Sequence, residues 1–155
     1  MTNTTNYKFV AQRLVALTDG IPYETANLAN ASALLRQHME NVNWVGFYKM
    51  TGEDLLVLGP FQGKPACVKI AVGKGVCGTA VAQDKTQLVY DVHEFPGHIA
   101  CDCAFNSEIV VPIHVNGEIW GVLDIDSPLF DRFAPEDREG LEDFVKALET
   151  ALFGA

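Results

Sequence analysis

The 155-residue sequence is poor in positive charge and has no long apolar run. It contains 11 Lys and Arg against 20 Asp and Glu, a formal net charge of −9. A nucleic-acid groove or a surface for anionic lipid needs basic patches, so the composition argues against both functions. No stretch approaches the about 18 apolar residues of a membrane span, and MTNTTNYKFV at the N-terminus lacks the features of a signal peptide. We therefore expect a cytoplasmic protein.

The cysteines are few and contain no C-x-x-C pair. They are Cys67, Cys77, Cys101 and Cys103. Zinc-ribbon and thioredoxin-type signatures both need such a pair, so the spacing excludes them. Structural disulfides are uncommon in the cytoplasm, which favours transient, catalytic or metal-binding thiols. Zinc bound by these sulfurs together with His93 and His98 remains an alternative.

The apolar periodicity predicts a single α+β domain over residues 1–155. Helices are expected over 7–19, 23–39 and 76–83 and from Pro135 onward, and strands over 43–50, 55–58, 68–70, 109–115 and 119–125. Residues 61–65 carry turn chemistry. This order is typical of a mostly antiparallel sheet with helices packed on one face, which leaves the other face for a ligand pocket.

The Asn116-Gly117 pair predicts a hairpin between the last two strands. A two-residue turn would pair Ile109 with Asp124 and mix the apolar and polar faces. A three-residue loop pairs Glu108 with Asp124 and keeps the faces separate. Because the buried face fixes the register, we predict the longer loop. Glu108, Asp124 and Asp126 then share the less apolar face.

A long irregular segment, 91–105, precedes this hairpin and contains Cys101. Loops of this length are uncommon unless they are functional. His93, Pro96 and Gly97 are candidate lid residues, with an ordinary surface loop as the alternative. A cysteine is a useful nucleophile only if its thiolate forms near neutral pH. The alternative for Cys101 is a buried, inert thiol.

Several motifs in a fixed order carry a resemblance to a known family. They are NWVGFY at 43–48, FQGKPAC at 61–67, GKGVCGTA at 73–80, HIACD at 98–102, NSEIVVP at 106–112 and GVLDIDSP at 121–128. The chain resembles, essentially end to end, the free methionine-(R)-sulfoxide reductases, which are single-domain members of the GAF fold. The resemblance implies reduction of free L-methionine (R)-sulfoxide to L-methionine, with thioredoxin as the external reductant and no bound cofactor or metal.

The resemblance also assigns roles to the thiols. Cys101 matches the catalytic thiol and Cys67 its resolving partner, while Cys77 is a secondary candidate for resolution. After attack, Cys101 would become a sulfenic acid, which a second thiol converts to a disulfide. The chain departs from the family at Cys103, where a serine is expected, so the sequence leaves open whether this fourth thiol takes part.

The remaining candidate site residues are acidic or aromatic. Glu108, Asp124 and Asp126 match substrate-facing carboxylates of the family, and Trp44 and Tyr48 match aromatic residues near the substrate methyl group. Crowding and burial raise the pKa of a carboxyl group. We therefore predict that Glu108 protonates the departing oxygen, while the two aspartates bind the ammonium group. A solvated acidic edge and ordinary core aromatics are the alternatives.

Two other functions compete with the reductase. A non-enzymatic GAF-type module would bind a small ligand and signal, but such a module has no need of three or four thiols around its pocket. A zinc-binding or metal-sensing protein is the other alternative. The sequence leaves a homodimer open.

Overall fold

The fold is a six-stranded antiparallel sheet with helices on both faces. The computed structural model describes residues 5–52, 54–97 and 105–154. The helices in these ranges are α1 (Tyr7–Thr18), α2 (Glu24–His38), α3 (Gly75–Gln83) and α4 (Pro135–Phe153). The strands are β1 (Trp44–Met50), β2 (Leu55–Gln62), β3 (Lys69–Ala71), β4 (Gln87–Val89), β5 (Ser107–Val115) and β6 (Glu118–Ser127). The order across the sheet is β3-β2-β1-β6-β5-β4, which confirms the predicted α+β class.

The first and last helices are fixed to each other at their N-termini. The side-chain oxygen of Asn6 caps α1. Pro135 opens α4, where its missing N–H costs no hydrogen bond. The Asp137 carboxylate accepts a hydrogen bond from the backbone N–H of Ala134 at 2.9 Å and one from the Tyr7 hydroxyl at 2.6 Å. In the described ranges, none of these helices is long and apolar enough to cross a membrane.

The main core lies between α1, α2, α4 and one face of the sheet. Alternate residues of β1 point into it, so Val45 and Phe47 are fully buried there. Ile109 and Val111 of β5 and Leu123 of β6 lie on the same face. Non-polar packing on this face holds the sheet against three helices and leaves its other face available for chemistry.

The other face carries a smaller core, which includes α3. Val76 and Ala80 of this helix are buried in the same cluster as Val110 and Val122 of the sheet. The predicted arrangement of helices on one face therefore does not extend to α3. A Cβ at Gly78 would collide with the carbonyl oxygen of Ala71, so a glycine lets α3 approach β3 closely.

The hairpin between β5 and β6 differs from the predicted three-residue loop. Val115 pairs with Glu118 around a two-residue turn in which Asn116 and Gly117 have φ of 53° and 80°. These positive angles are the ones that a type I′ turn requires. The register then shifts by one residue beyond His114, and Trp120 is the extra residue of the resulting bulge.

The bulge restores the separation of faces that the sequence predicts. Glu108 pairs with Asp126 rather than with Asp124, whose partner is Val110. The predicted pairing of Glu108 with Asp124 is therefore wrong. Residues directly opposite each other point to the same side of a sheet, as do residues two apart on one strand. The prediction that Glu108, Asp124 and Asp126 share a face is confirmed.

Two strands also differ from their predictions. β2 continues to Gln62, through residues assigned to a turn, because a bulge sets Gly59 and Pro60 together opposite Phe47. A bulge tolerates a proline, which has no N–H to donate to the ladder. The short strand β4, which pairs with the start of β5, was not predicted.

We predict that Phe144→Ala destabilises the protein by about 3–5 kcal/mol, because the ring is fully buried and its loss leaves a cavity. Phe9→Ala is the matched control, since that ring is 48% exposed and its loss should change stability by less than about 1 kcal/mol. Urea unfolding of both variants measures the difference, and equal midpoints would contradict the assignment of the main core.

Candidate active site

The candidate site is built around three buried carboxyl groups on the second face of the sheet. Glu108 of β5 and Asp124 and Asp126 of β6 are 5%, 6% and 5% exposed. Glu108 forms side-chain hydrogen bonds with both aspartates. The β5–β6 register creates this arrangement, because it sets one acid of β5 beside two acids of β6.

Burial raises the pKa of Glu108 well above its ordinary value, and the negative charges of Asp124 and Asp126 raise it further. Burial also raises the pKa of Asp124, whereas its hydrogen bonds with Glu108, Cys77 and Asp126 favour its charged form. Burial and both neighbouring charges therefore favour the protonated form of Glu108, which is the form that a general acid needs.

Cys77 of α3 lies against this cluster as a free, buried thiol. Its Sγ and one carboxylate oxygen from each of Glu108 and Asp124 lie within 4.8 Å of one another. Burial, and then the charges of the acids, raise the pKa of the Cys77 thiol well above its ordinary value. A protonated thiol is a poor nucleophile, so this environment argues against Cys77 as a resolving thiol.

The same three side chains could hold a metal ion. One sulfur and two carboxylate oxygens at this spacing suit a divalent cation such as zinc. The alternative zinc site proposed from the sequence included His93, whose Nε2 instead lies 2.9 Å from Oδ1 of Asn106. His98 lies outside the described residues.

A carboxylate oxygen of Asp124 is left without a donor. Among the residues that the structure describes, Oδ1 of Asp124 is buried and has no hydrogen-bond partner. A buried acceptor without a donor costs free energy, and a bound ligand is one way to supply the missing bond. The ammonium group of an amino acid offers three N–H donors and a positive charge to such an oxygen.

Three stacked aromatic rings lie beside the acids. Trp44 stacks on Tyr48 with ring centroids 6.1 Å apart and on Phe61 with centroids 5.2 Å apart. Trp44 pairs with Asp126 across β1 and β6, so the predicted aromatics and acids share a face. Phe61 was not predicted as a site residue. The sequence feature that could have indicated its place is Gly46, because a Cβ there would collide with the ring of Trp44 and the side chain of Phe61.

The predicted sulfur chemistry falls partly outside the described residues. Cys101 and Cys103 lie outside them. Cys67 is half-buried beside the aromatic rings and is disulfide-bonded. Its backbone carbonyl accepts a hydrogen bond of 2.9 Å from the Tyr48 hydroxyl. The assignment of Cys67 as the resolving thiol stays a prediction.

The candidate lid residues follow β4 in the sequence. The first of them, His93, lies in a short 3₁₀ turn at Val92–Glu94. The Asp91 carboxylate caps this turn by accepting a hydrogen bond from the backbone N–H of His93. The His93 ring lies 6.3 Å from the ring of Phe130, and Gly97 has a positive φ of 75°. Pro96 lies between them in the sequence, and a lid role for the three residues stays a prediction.

The sequence and the fold match known proteins over nearly their full length. A family model described as GAF domain matches residues 23–152. The chain is 53% identical to the free methionine-R-sulfoxide reductase of Escherichia coli over 98% of this chain and 92% of that one. It superposes on fRMsr of Staphylococcus aureus in complex with substrate with a TM-score of 0.91 and 51% identity, over 98% and 99% of the two chains.

A second solved structure, the free methionine-R-sulfoxide reductase from Neisseria meningitidis in complex with its substrate, is 41% identical. Its TM-score is 0.89, over 94% of this chain and 87% of that one. The resemblance found in the sequence motifs is thus confirmed. The chain belongs to the GAF-domain family and, within it, to the free methionine-R-sulfoxide reductases.

Proposed function

We propose that this protein, an oxidoreductase of that family, reduces free L-methionine (R)-sulfoxide to L-methionine through a thiol cycle that begins at Cys101. The observation that carries the proposal is the buried carboxyl cluster, in which Asp124 has an oxygen without a donor beside a stack of aromatic rings. A molecule with an ammonium group at one end and a methyl group at the other suits this combination, and free methionine sulfoxide, a zwitterionic amino acid, is such a molecule.

Substrate binding in this proposal uses the two aspartates for the ammonium group. The positive charge compensates the cost of burying their negative charges, which water would otherwise stabilise. Trp44 and Tyr48 pack against the methyl and thioether end. A methionine inside a polypeptide has no ammonium group to offer, and it would leave the buried acids unpaired, so the site favours the free amino acid.

The first chemical step transfers the sulfoxide oxygen to Cys101. The thiolate attacks the substrate sulfur while Glu108 donates its proton to the oxygen. The protonated oxygen then forms a bond to the Cys101 sulfur as the bonds from the substrate sulfur to the oxygen and to Cys101 break, which leaves methionine and a sulfenic acid on Cys101. The sulfoxide gains two electrons and the thiol loses two, so the step balances without a bound cofactor.

The second step regenerates the enzyme. The Cys67 thiol attacks the sulfenic sulfur, a sulfur–sulfur bond forms, and the oxygen leaves as water with the thiol proton. Cys67 is disulfide-bonded while Cys77 is free, and following the family resemblance we assign Cys101 rather than Cys103 as the partner of Cys67. Thioredoxin then reduces the disulfide by thiol exchange. A cycle of this kind operates where thiols are kept reduced, which agrees with the cytoplasm.

We predict that only the R epimer is turned over in a thioredoxin-coupled NADPH assay and that Cys101→Ser abolishes turnover. Cys67→Ser should still form about one methionine per protein in a single turnover, because it keeps the attacking thiol, but its recycling by thioredoxin should slow. Activity that survives in Cys101→Ser and disappears in Cys103→Ser would refute the assigned nucleophile. Substrate binding without any turnover would favour the ligand-binding module instead.

We predict that Glu108→Gln lowers kcat by about 10²–10⁴-fold with a KM within a few-fold of the wild-type value, because the amide keeps the shape but has no acidic proton. Glu118→Gln, at the exposed hairpin turn, is the matched control and should keep wild-type kinetics. Steady-state kinetics on the R epimer test both variants, and an unchanged kcat in Glu108→Gln would remove this residue as the acid.

The raised pKa of Glu108 also fixes the sign of two pH dependences. The wild-type kcat should fall as the pH rises through this pKa, since only the protonated carboxyl donates. The unfolded chain loses the Glu108 proton at a lower pH than the folded protein does. The free energy of unfolding should therefore fall as the pH rises from the Glu108 pKa of the unfolded chain to that of the folded protein. Glu108→Gln should flatten the stability profile, and an unaltered slope in urea unfolding would contradict burial as the cause.

We predict that Asp124→Asn raises KM by about tenfold to a hundredfold with a smaller change in kcat, because a charge-assisted hydrogen bond to the ammonium group is lost. Asp54→Asn changes an exposed aspartate between β2 and β1 and serves as the control. Equilibrium binding of methionine to both proteins checks the result independently of turnover. An unaltered affinity in Asp124→Asn would show that the ammonium group binds elsewhere.

A further inference from the structure

The segment Lys64–Cys67 is fixed at both ends by side chains of β1. The indole N–H of Trp44 donates a hydrogen bond of 3.0 Å to the carbonyl oxygen of Lys64. The hydroxyl of Tyr48 donates one of 2.9 Å to the carbonyl oxygen of Cys67. Both acceptors belong to the backbone, so these contacts determine where the chain runs rather than how a side chain is oriented.

The entry to this segment is also shaped against Trp44. Gly63 has a φ of +144°, in the region that favours glycine. A Cβ at this position would collide with Cδ1 of the indole ring and would lie 2.9 Å from the carbonyl oxygen of Asn43. The chain therefore passes the edge of the indole at a distance that no other residue allows.

The hydroxyl of Tyr48 keeps its proton and is therefore suited to remain a hydrogen-bond donor. Burial raises the pKa of its hydroxyl far above the ordinary value, and the charges of Asp124 and the other acids add to this effect. The hydroxyl has one proton to donate, and it goes to Cys67 although carboxylates lie nearby. This choice of partner indicates a role toward the cysteine segment in addition to packing against a ligand.

We propose that Tyr48, together with Trp44, is a positioning residue for the resolving thiol, and that it fixes the backbone of Cys67 for disulfide formation. The inference rests on the proposed function, since it needs the Cys67–Cys101 disulfide. The two aromatic side chains then serve both halves of the cycle. In the first half they line the substrate pocket, and in the second half they hold the resolving thiol, Cys67, in place.

The physical basis is effective concentration. A disulfide forms only when the two Cα atoms lie within about 4.4–6.8 Å, so a loop that samples many positions closes it less favourably. Residues 62–65 are exposed, and the chain there has few other restraints from packing. The two hydrogen bonds reduce the freedom that disulfide formation would otherwise have to remove.

The test measures the disulfide equilibrium of the full-length protein without methionine sulfoxide. Wild type and Tyr48→Phe are equilibrated with reduced and oxidised dithiothreitol, so that two protein thiols pass two electrons and two protons to the cyclic disulfide. Alkylation and mass spectrometry give the fraction of Cys67–Cys101 bonds. We expect the equilibrium constant of Tyr48→Phe to be about twofold to tenfold lower, since one buried hydrogen bond is lost.

Tyr23→Phe, which removes the hydroxyl of an exposed tyrosine, is the matched control and should keep the wild-type constant. Gly63→Ala changes no predicted site residue and should also lower the constant, because it displaces the segment from Trp44. A purely structural role would destabilise the reduced and oxidised proteins equally, and an unchanged constant in Tyr48→Phe would overturn the inference.

Mass spectrometry also separates failure of this inference from failure of the proposed function. If Cys67 is joined to Cys103 instead, the proposed cycle is overturned together with the positioning role. If the Cys67–Cys101 bond forms normally but the R sulfoxide is not reduced in the coupled assay, only the proposed reaction fails. The equilibrium constants then still decide whether Tyr48 positions Cys67.

Discussion

The crowding of three carboxyl groups on one buried face is the constraint on which the site depends. Moving an ionised carboxylate out of water costs several kcal/mol even after the protein relaxes, and neighbouring like charges add to this cost. The cluster therefore keeps a proton on Glu108 instead of ionising fully. In the proposed reaction, burial thus provides the proton that sulfoxide reduction needs, and each unit by which the pKa of Glu108 rises corresponds to about 1.4 kcal/mol.

The two faces of the sheet divide stability and chemistry between them. The face covered by α1, α2 and α4 is mostly apolar and includes fully buried rings such as Phe47 and Phe144. This packing can offset the cost of the acids on the other face. The alternation of β1 links the two, because Val45 and Phe47 enter the main core while Trp44 and Tyr48 enter the site. One short strand therefore anchors the fold and also supplies the aromatic wall.

The sequence was sufficient to predict which face the acids occupy, but it did not predict their pairing. A one-residue change of register moves every side chain to the opposite face, so the apolar pattern determines the face of Glu108 reliably. The predicted pairing of Glu108 with Asp124 was wrong because the bulge at Trp120 adds a residue to β6 without disturbing the apolar pattern. The extension of β2 beyond Pro60 was missed for a related reason, since a bulge tolerates a residue that strand propensity disfavours.

Contacts to the backbone were beyond prediction for a different reason. The Tyr48 hydroxyl and the Trp44 indole donate to carbonyl oxygens, which every residue possesses, so no residue type marks the acceptors. Only the path of the chain brings these groups together. The glycines were better signals, because Gly46 and Gly63 each stand where a Cβ would collide with the Trp44 ring. A glycine beside an aromatic motif thus indicated close packing, though not which atoms would meet.

The electrostatics of the cluster also explain why the thiols must have different roles. Cys77 lies against the acids, yet its burial and their charges raise the pKa of its thiol well above the ordinary value, and a protonated thiol attacks a sulfoxide poorly. The arrangement that favours proton donation by Glu108 therefore prevents nucleophilic attack by a thiol in the same cluster. An enzyme that needs both a protonated acid and a thiolate has to take the thiolate from another segment. In the proposed cycle, Cys101, from the segment that follows Gly97, is this thiolate, and Cys67, from the connection between β2 and β3, is its resolving partner.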